Sequence, residues 1–265
     1  MIASHNPELV SKHVPKEPIP REVRAALLRP GQLLARIDTF PVAFLPLGTL
    51  EWHGRHNPIG CDAIKAEAVC AGVAERIGGV VMPALFFAVD TPRDAGRGLG
   101  YGMDAVAGFA LPGSFYRVSP SLFVSILENA CQNYLSRGFK MVVLLSGHNP
   151  PIQIIMMNEV CAKFLTSDGR EPVTALFEFG ALDKDSPFNN IHDHAGFYET
   201  SVMMHITGRV NMEANTGQEN PELAVTTRRP LEGASAEFGA SALAAEIDSI
   251  CPYIQRKYRE LVDGK

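Results

Sequence analysis

Four short, strongly apolar runs constrain the fold more than any other feature: 41–47 (PVAFLPL), 80–86 (VVMPALF), 140–146 (KMVVLLS) and 173–179 (VTALFEF). Each is too short for an ordinary helix and too uniformly apolar for a strand with one wet face, so each reads as a strand covered on both faces. Between them the sequence takes a helical period over 63–77, stopped by Gly78 and Gly79, over 120–136, opened by Ser119 as cap and Pro120 at the first helical position, and over 152–166. Alternation of strand and helix demands crossover connections, which make a parallel sheet. The expected class is α/β: a single domain over 1–265, its mainly parallel sheet flanked by helices, with an extended N-terminal arm over 1–20.

The C-terminal third is less regular. A short helix is expected over 196–207, an extended polar connection over 209–233, and a long helical region over 234–263 that Pro252 interrupts. The glycine-rich stretch RDAGRGLGYG at 93–102 lacks the G-K-[ST] ending of a phosphate loop and is expected to serve the substrate side or a subunit contact. The stretches ALFFAV at 84–89 and IIMMNEV at 154–160 are expected in the core, with part of either available to a subunit interface.

A formal charge of −5 gives no broad basic surface, so nucleic acid and anionic lipid are not expected partners. No apolar run approaches the roughly 18 residues of a membrane span, and 1–23 lacks the apolar centre of a signal peptide, so the chain is expected to be cytoplasmic. The five cysteines are scattered and never spaced as C-x-x-C, which suits reduced thiols better than disulfides or zinc knuckles.

Chemistry gathers where the apolar runs stop. Glu51 and His53 lie just past the first run, and a spacing of two in extended chain turns both side chains to one face. Asp62 follows before the next helix, His148 comes directly after the third run, and HDHAGFYETS at 192–201 brings His192, Asp193, His194 and Glu199 to the start of a helix. In open α/β sheets, ligands bind beyond the carboxyl ends of strands, so these groups sit where a site belongs. Singly, a Glu-x-His at a strand end reads as an ordinary hydrogen-bonded pair; the joint occurrence of three such clusters favours a metal site. His56 is expected as a loop or supporting group, and His205 as a core or interface histidine.

Carboxylate and imidazole donors suit Zn²⁺, Mn²⁺ or Fe²⁺. Glu51, His53, Asp62, His148 and Glu199 are too many for one catalytic ion that keeps an open position and the right number for two divalent ions, with Asp62 as the bridging carboxylate.

These segments carry a family resemblance. LPLGTLEWHGRHNPIGCDAIKAEAV, LPGSF, VVLLSGHN and HAGFYETSVMM, in this order over 41–208, together with GASAEFGASALAAEI at 233–247, resemble the creatininase (creatinine amidohydrolase) family. The resemblance implies a hydrolase with two metal ions, Zn or Mn with Fe as a further candidate. It also implies a homo-oligomer, a hexamer, acting on a small-molecule amide, cyclic or linear. It maps the ligands onto Glu51, His53, Asp62, His148 and Glu199, and proton handling onto His194 with Asp193 beside it, where creatininase has a Glu-His pair.

Departures point away from creatinine itself. Creatininase carries an aromatic residue and a glutamate after the central histidine, whereas this chain has Asn149, Pro150 and Pro151. The only tryptophan is Trp52, inside the metal motif. Arg93, Arg97, Asp104 and Asn149 are the candidate substrate contacts. Two alternatives stand beside amide hydrolysis: opening of a cyclic polyol ketone or diketone by carbon–carbon hydrolysis in sugar or inositol catabolism, and a non-catalytic metal-binding scaffold.

Overall fold

The computed structural model describes residues 6–94, 98–189 and 191–263. In chain order they form helices α1 (Pro7–His13) and α2 (Pro30–Thr39), strand β1 (Val42–Leu47), helix α3 (Cys61–Ile77), and strands β2 (Val80–Val81), β3 (Pro92–Asp94) and β4 (Leu99–Tyr101). Helices α4 (Gly102–Ala107) and α5 (Pro120–Leu135), strand β5 (Met141–Ser146), helix α6 (Pro151–Lys163) and strand β6 (Val173–Phe177) follow. Helices α7 (Phe197–Thr207) and α8 (Ala236–Asp263) complete the order.

The main sheet runs β2-β1-β5-β6, with every pairing parallel. Side chains alternate across it: Val42 and Phe44 of β1, with Met141, Val143 and Leu145 of β5, meet α3 and α8. Ala43, Leu45 and Leu47, with Val142 and Leu144, meet α5 and α6 on the other face. Both faces are thus dry, as uniformly apolar strands require. The chain leaves β1 toward β2 on one side and later returns to β5 on the other, so the order reverses between β1 and β5. Such a reversal opens the crevice in which α/β sheets bind ligands. Leu47 pairs with Ser146 there, so the two strands end side by side.

Glycine sets how closely the next segments approach. A Cβ on Gly48, just past β1, would lie 2.2 Å from the Ala63 nitrogen, and one on Gly147, just past β5, 2.3 Å from the Asp62 carbonyl oxygen. Both strand ends therefore press against the first turn of α3, which carries Asp62.

Several expectations need correction. The N-terminal arm is not wholly extended: Asn6 accepts from the Leu9 N–H and Pro7 opens α1. Helix α2, which the sequence reading did not anticipate, is likewise opened by Pro30. Pro252 does not interrupt α8, which runs through it. Pro252 is exposed, where water can satisfy the freed carbonyl, while Ile247, Ile250 and Ile254 hold the opposite face in the core. The connection over 209–233 contains 3-10 turns at Met212–Asn215 and Leu231–Gly233. The expected core stretches are split: Ala88, Val89, Met157 and Val160 are buried, but Phe87 and Ile155 are exposed.

The stretch 93–102 contributes to a two-stranded antiparallel ribbon of β3 and β4, followed by α4. No helix among the described residues is long and apolar enough to cross a membrane. All five cysteines are free thiols.

Candidate metal centre

The loops after β1 and β5 meet the first turns of α3 and α7 at the β1/β5 crevice. Asp62 lies at the centre, with its two carboxylate oxygens divided. Oδ1 is 3.0 Å from His53 Nε2, and Oδ2 is 3.1 Å from His148 Nδ1. Glu51 Oε1 is also 3.1 Å from His148 Nδ1, and Glu199 Oε2 is 3.5 Å from His53 Nε2. The structure thus brings Glu51, His53, Asp62, His148 and Glu199 to one point, and all are buried.

Local contacts hold each group in place. His53 Nδ1 lies 3.2 Å from the Glu51 carbonyl, which leaves Nε2 to face Asp62. Gln153 in α6 donates to the His148 carbonyl and to Ser146 Oγ, both at 3.0 Å, and pins the loop after β5. Ala195 takes a left-handed conformation, φ 53°, uncommon for a residue with a Cβ. Its N–H donates to Glu199 Oε2 at 2.6 Å, and its carbonyl lies 3.0 Å from His56 Nε2. His56 is therefore a buried support for the loop that precedes α7.

Four groups at the centre lie outside the set the sequence marks: Lys65 and Cys61, which are buried, and Glu178 and Asp90, which are partly buried. Lys65, one turn after Asp62 on α3, forms ion pairs with Glu199 Oε1 and with Glu178 Oε2, the latter at 3.1 Å. Glu178 directly follows β6, and Tyr198 donates to its other oxygen at 2.9 Å. Cys61 Sγ lies within 4.8 Å of ligand atoms of His53, Asp62 and Glu199. Asp90 Oδ1 lies 3.1 Å from His148 Nε2. Glu178 could have been found as another acid at a strand end. Lys65 and Cys61 carry no comparable signal, because they read as ordinary members of a helix.

The donor set fits divalent cations. Three carboxylates converge where burial alone would cost several kcal/mol per unpaired ion, and Lys65 supplies one buried positive charge against them. Burial works against a charged His53, yet Asp62 and Glu199 outweigh it and raise the imidazole to about 9. Burial is likewise outweighed at His148, which Glu51, Asp62 and Asp90 push well above the usual range. A field that favours imidazolium this strongly favours a bound cation, which would take over the protons' role. Two overlapping sets result, an inner one of His53, Asp62 and Glu199 and an outer one of Glu51, Asp62 and His148.

A cavity of about 450 Å³ opens over the outer set and is lined by Glu51, Asp62, His148, His194, Asn149 and Arg93, among others. His194 Nε2 lies 2.7 Å from the Trp52 carbonyl, and its Nδ1 lies 3.9 Å from Glu51 Oε1. The carbonyl that orients the imidazole is thus that of Trp52. Asp193 instead accepts the backbone N–H groups of Tyr198 at 2.8 Å and Glu199 at 3.2 Å. Its carboxylate tethers the start of α7, and burial, with Glu199 nearby, raises it to about 7. Backbone pairing of His194 with Thr226, N to O at 2.9 Å in both directions, ties the same loop to the connection before α8.

The expected substrate contacts divide. Arg93 and Asn149 line the cavity. Asp104 accepts from the Leu111 N–H at 2.9 Å and is not among the lining residues. Arg97 lies outside the described residues. His205, expected in a core or interface, is exposed.

Similarities agree with this geometry. A creatinine amidohydrolase from Pseudomonas putida is 32% identical over 176 residues, covering 62% of this chain and 63% of that protein, so the chain spans less than two thirds of that relative. A mycofactocin precursor peptide peptidase from Mycolicibacterium smegmatis (strain ATCC 700084 / mc(2)155) is 26% identical over 84% of this chain and 82% of its own length. The crystal structure of a creatinine amidohydrolase (creatininase) superposes with a TM-score of 0.70 at 21% identity, covering 90% of this chain and 98% of that one, which shows a shared fold. Other creatininase structures at a TM-score of 0.69 are described as a Mn form and, for a mutant, a Zn–Zn type. The sequence model of the creatininase family, described as creatinine amidohydrolase, matches residues 28–248. This chain therefore belongs to the creatininase family, whose members are metal-dependent amidohydrolases.

Proposed function

We propose that this protein is a two-metal amidohydrolase that cleaves the carbon–nitrogen bond of a small polar amide, cyclic or linear, other than creatinine. One observation carries the reading: Asp62 divides its oxygens between His53 and His148 at the floor of a cavity. Glu51, His148 and Asp62 would hold the outer ion and His53, Glu199 and Asp62 the inner, with Zn²⁺ or Mn²⁺ as the metals. Bound divalent cations acidify water and polarise a carbonyl.

The chain's own groups supply the rest. With its Nε2–H donated to the Trp52 carbonyl, a neutral His194 keeps the lone pair on Nδ1, which faces the outer set. That nitrogen accepts a proton from the attacking water and returns it to the leaving nitrogen. Asp193 serves as a positioning residue, because its contacts hold the backbone from which His194 projects. Arg93 and Asn149 at the cavity wall are placed to contact the substrate.

The names of the relatives, an amidohydrolase and a peptidase, favour a carbon–nitrogen bond over a carbon–carbon one. Creatininase, which this chain resembles, is expected to place tryptophans around creatinine, whereas Trp52, the only tryptophan here, donates its Nε1–H to the Leu223 carbonyl at 2.9 Å and is not among the cavity-lining residues, which argues against creatinine. The test is metal content after purification without chelator, alongside amine release from a panel of amides and lactams. Wild type is expected to hold about two equivalents and Asp62→Ala to lose both metal and turnover. Less than about half an equivalent in wild type, not restored by Mn²⁺ or Zn²⁺, would overturn the reading.

A further inference from the structure

We infer that Asp90 is a positioning residue that fixes His148 as a ligand through Nδ1; the inference rests on the metal reading above. His148 has carboxylates on both edges of its ring. Nδ1 faces Glu51 Oε1 and Asp62 Oδ2, each at 3.1 Å, while Nε2 faces Asp90 Oδ1 at 3.1 Å. A neutral imidazole has one N–H and one lone pair. An ion shared with Glu51 and Asp62 needs that lone pair on Nδ1, so the proton belongs on Nε2, where Asp90 accepts it. Carboxylates placed in this way fix the tautomer and orientation of a ligating histidine and raise its basicity.

Asp90 Oδ1 meets the ring nitrogen opposite the one that faces Glu51 and Asp62; oxygens of Glu51 and Asp90 and a nitrogen of His148 lie within 4.8 Å of one another, and it is the pair of contacts at Nδ1 that casts Asp90 as the acceptor behind the ligand. Its placement is built into the fold. Gln153, fully buried, accepts from the Val89 N–H at 3.1 Å through Oε1 and donates through Nε2 to the His148 carbonyl at 3.0 Å. One amide thus locks the backbone just before Asp90 to the loop that carries His148. On the other side Gly102 packs so closely that a Cβ there would lie 3.2 Å from Asp90 Oδ2. The segment directly after His148 continues with Asn149, Pro150 and Pro151, so the acid comes from a different part of the chain.

The test compares wild type, Asp90→Asn and Asp90→Ala as full-length protein stripped of metal and titrated with Mn²⁺ by calorimetry, with Co²⁺ absorption spectra as a second readout. Asn retains an oxygen that accepts the Nε2–H, whereas Ala does not. Wild type is expected to take up about two equivalents. Asp90→Ala should weaken one of them by about 10- to 100-fold and alter the Co²⁺ spectrum of that site, while Asp90→Asn restores most of the affinity. Unchanged binding and spectra in Asp90→Ala would overturn the inference while leaving the two-metal reading in place. So would an Asp90→Asn protein as impaired as Asp90→Ala, since that outcome means the negative charge acts and not the accepted hydrogen bond. A wild type that takes up no metal overturns the two-metal reading instead, and this inference with it.

Discussion

The two halves of the centre share Asp62 but live in different surroundings. On the inner side His53 is fully buried, Glu199 is 4% exposed and Lys65 is 1% exposed, and neither His53 nor Lys65 lines the cavity. On the outer side the His148 and Asp90 side chains are 7% and 12% exposed, the His194 side chain is 14% exposed, and all three line the cavity. The inner half has Lys65 as its counter-charge, shared between Glu199 and Glu178, and burial pushes the Glu178 carboxyl up to about 7. The outer half has a histidine with its lone pair free and room for a substrate. Under the proposed two-metal reading the inner half would do the holding and the outer half the chemistry, with Glu199 the inner ligand that also reaches the cavity wall.

The largest effect should come from breaking both halves together. Asp62→Ala removes the one group that contacts both imidazoles, and both metal equivalents and turnover are expected to fall to background. His194→Ala separates chemistry from holding. Its metal content should match wild type by elemental analysis, while turnover falls by about 10²- to 10⁴-fold, the usual share of a general acid–base group. Metal loss in that variant would place His194 among the ligands.

Lys65→Met probes the inner half alone. It keeps the length of the stem but leaves Glu199 and Glu178 without their buried cation. Breaking such a pair costs about 3–5 kcal/mol of stability, and loss of the group that orients a ligand weakens a metal by about 10- to 100-fold. Denaturant melts and metal titration would show whether the weakened site is the inner one; an unperturbed melt would mean that Glu178 and Glu199 are neutralised otherwise.

The smallest effect lies behind the inner half, at Glu246 on α8. Burial first, then the charge of Glu178, raises its carboxyl from 4.5 to about 8. The folded state therefore keeps a proton that the unfolded state has released, so this group makes stability fall as pH rises from about 4.5 to about 8 and adds no slope beyond that window. Glu246→Gln should gain stability relative to wild type across that window, read from melts at a series of pH values. A parallel pair of curves would show that Glu246 ionises normally in the folded protein.

Much of the architecture was legible because uniformly apolar runs admit few structures. The strands at 42–47, 141–146 and 173–177 fall inside the expected runs, and α3, α5, α6 and α7 sit within three residues of the expected bounds. At the edge of the sheet, β2 keeps only Val80–Val81 of its run, and beyond Pro83 the chain follows β1 by one bridge, Leu85 to Leu47. Helix α8 shows the limit of local rules: Pro252 signals a break, but burial of the opposite face outweighs one lost hydrogen bond.

At the site, the sequence by itself determined which groups stand at the ends of β1 and β5 and at the start of α7. A strand's carboxyl end is visible as the end of an apolar run, and the residues after it are named in order. Only the tertiary structure decided what those groups face. Asp90 reaches His148 across 58 positions, Lys65 reaches Glu178 across 113, and the carbonyl that orients His194 belongs to Trp52, 142 positions away. Such pairings follow from how crossover connections stack helices on the sheet, and no local period or spacing encodes them.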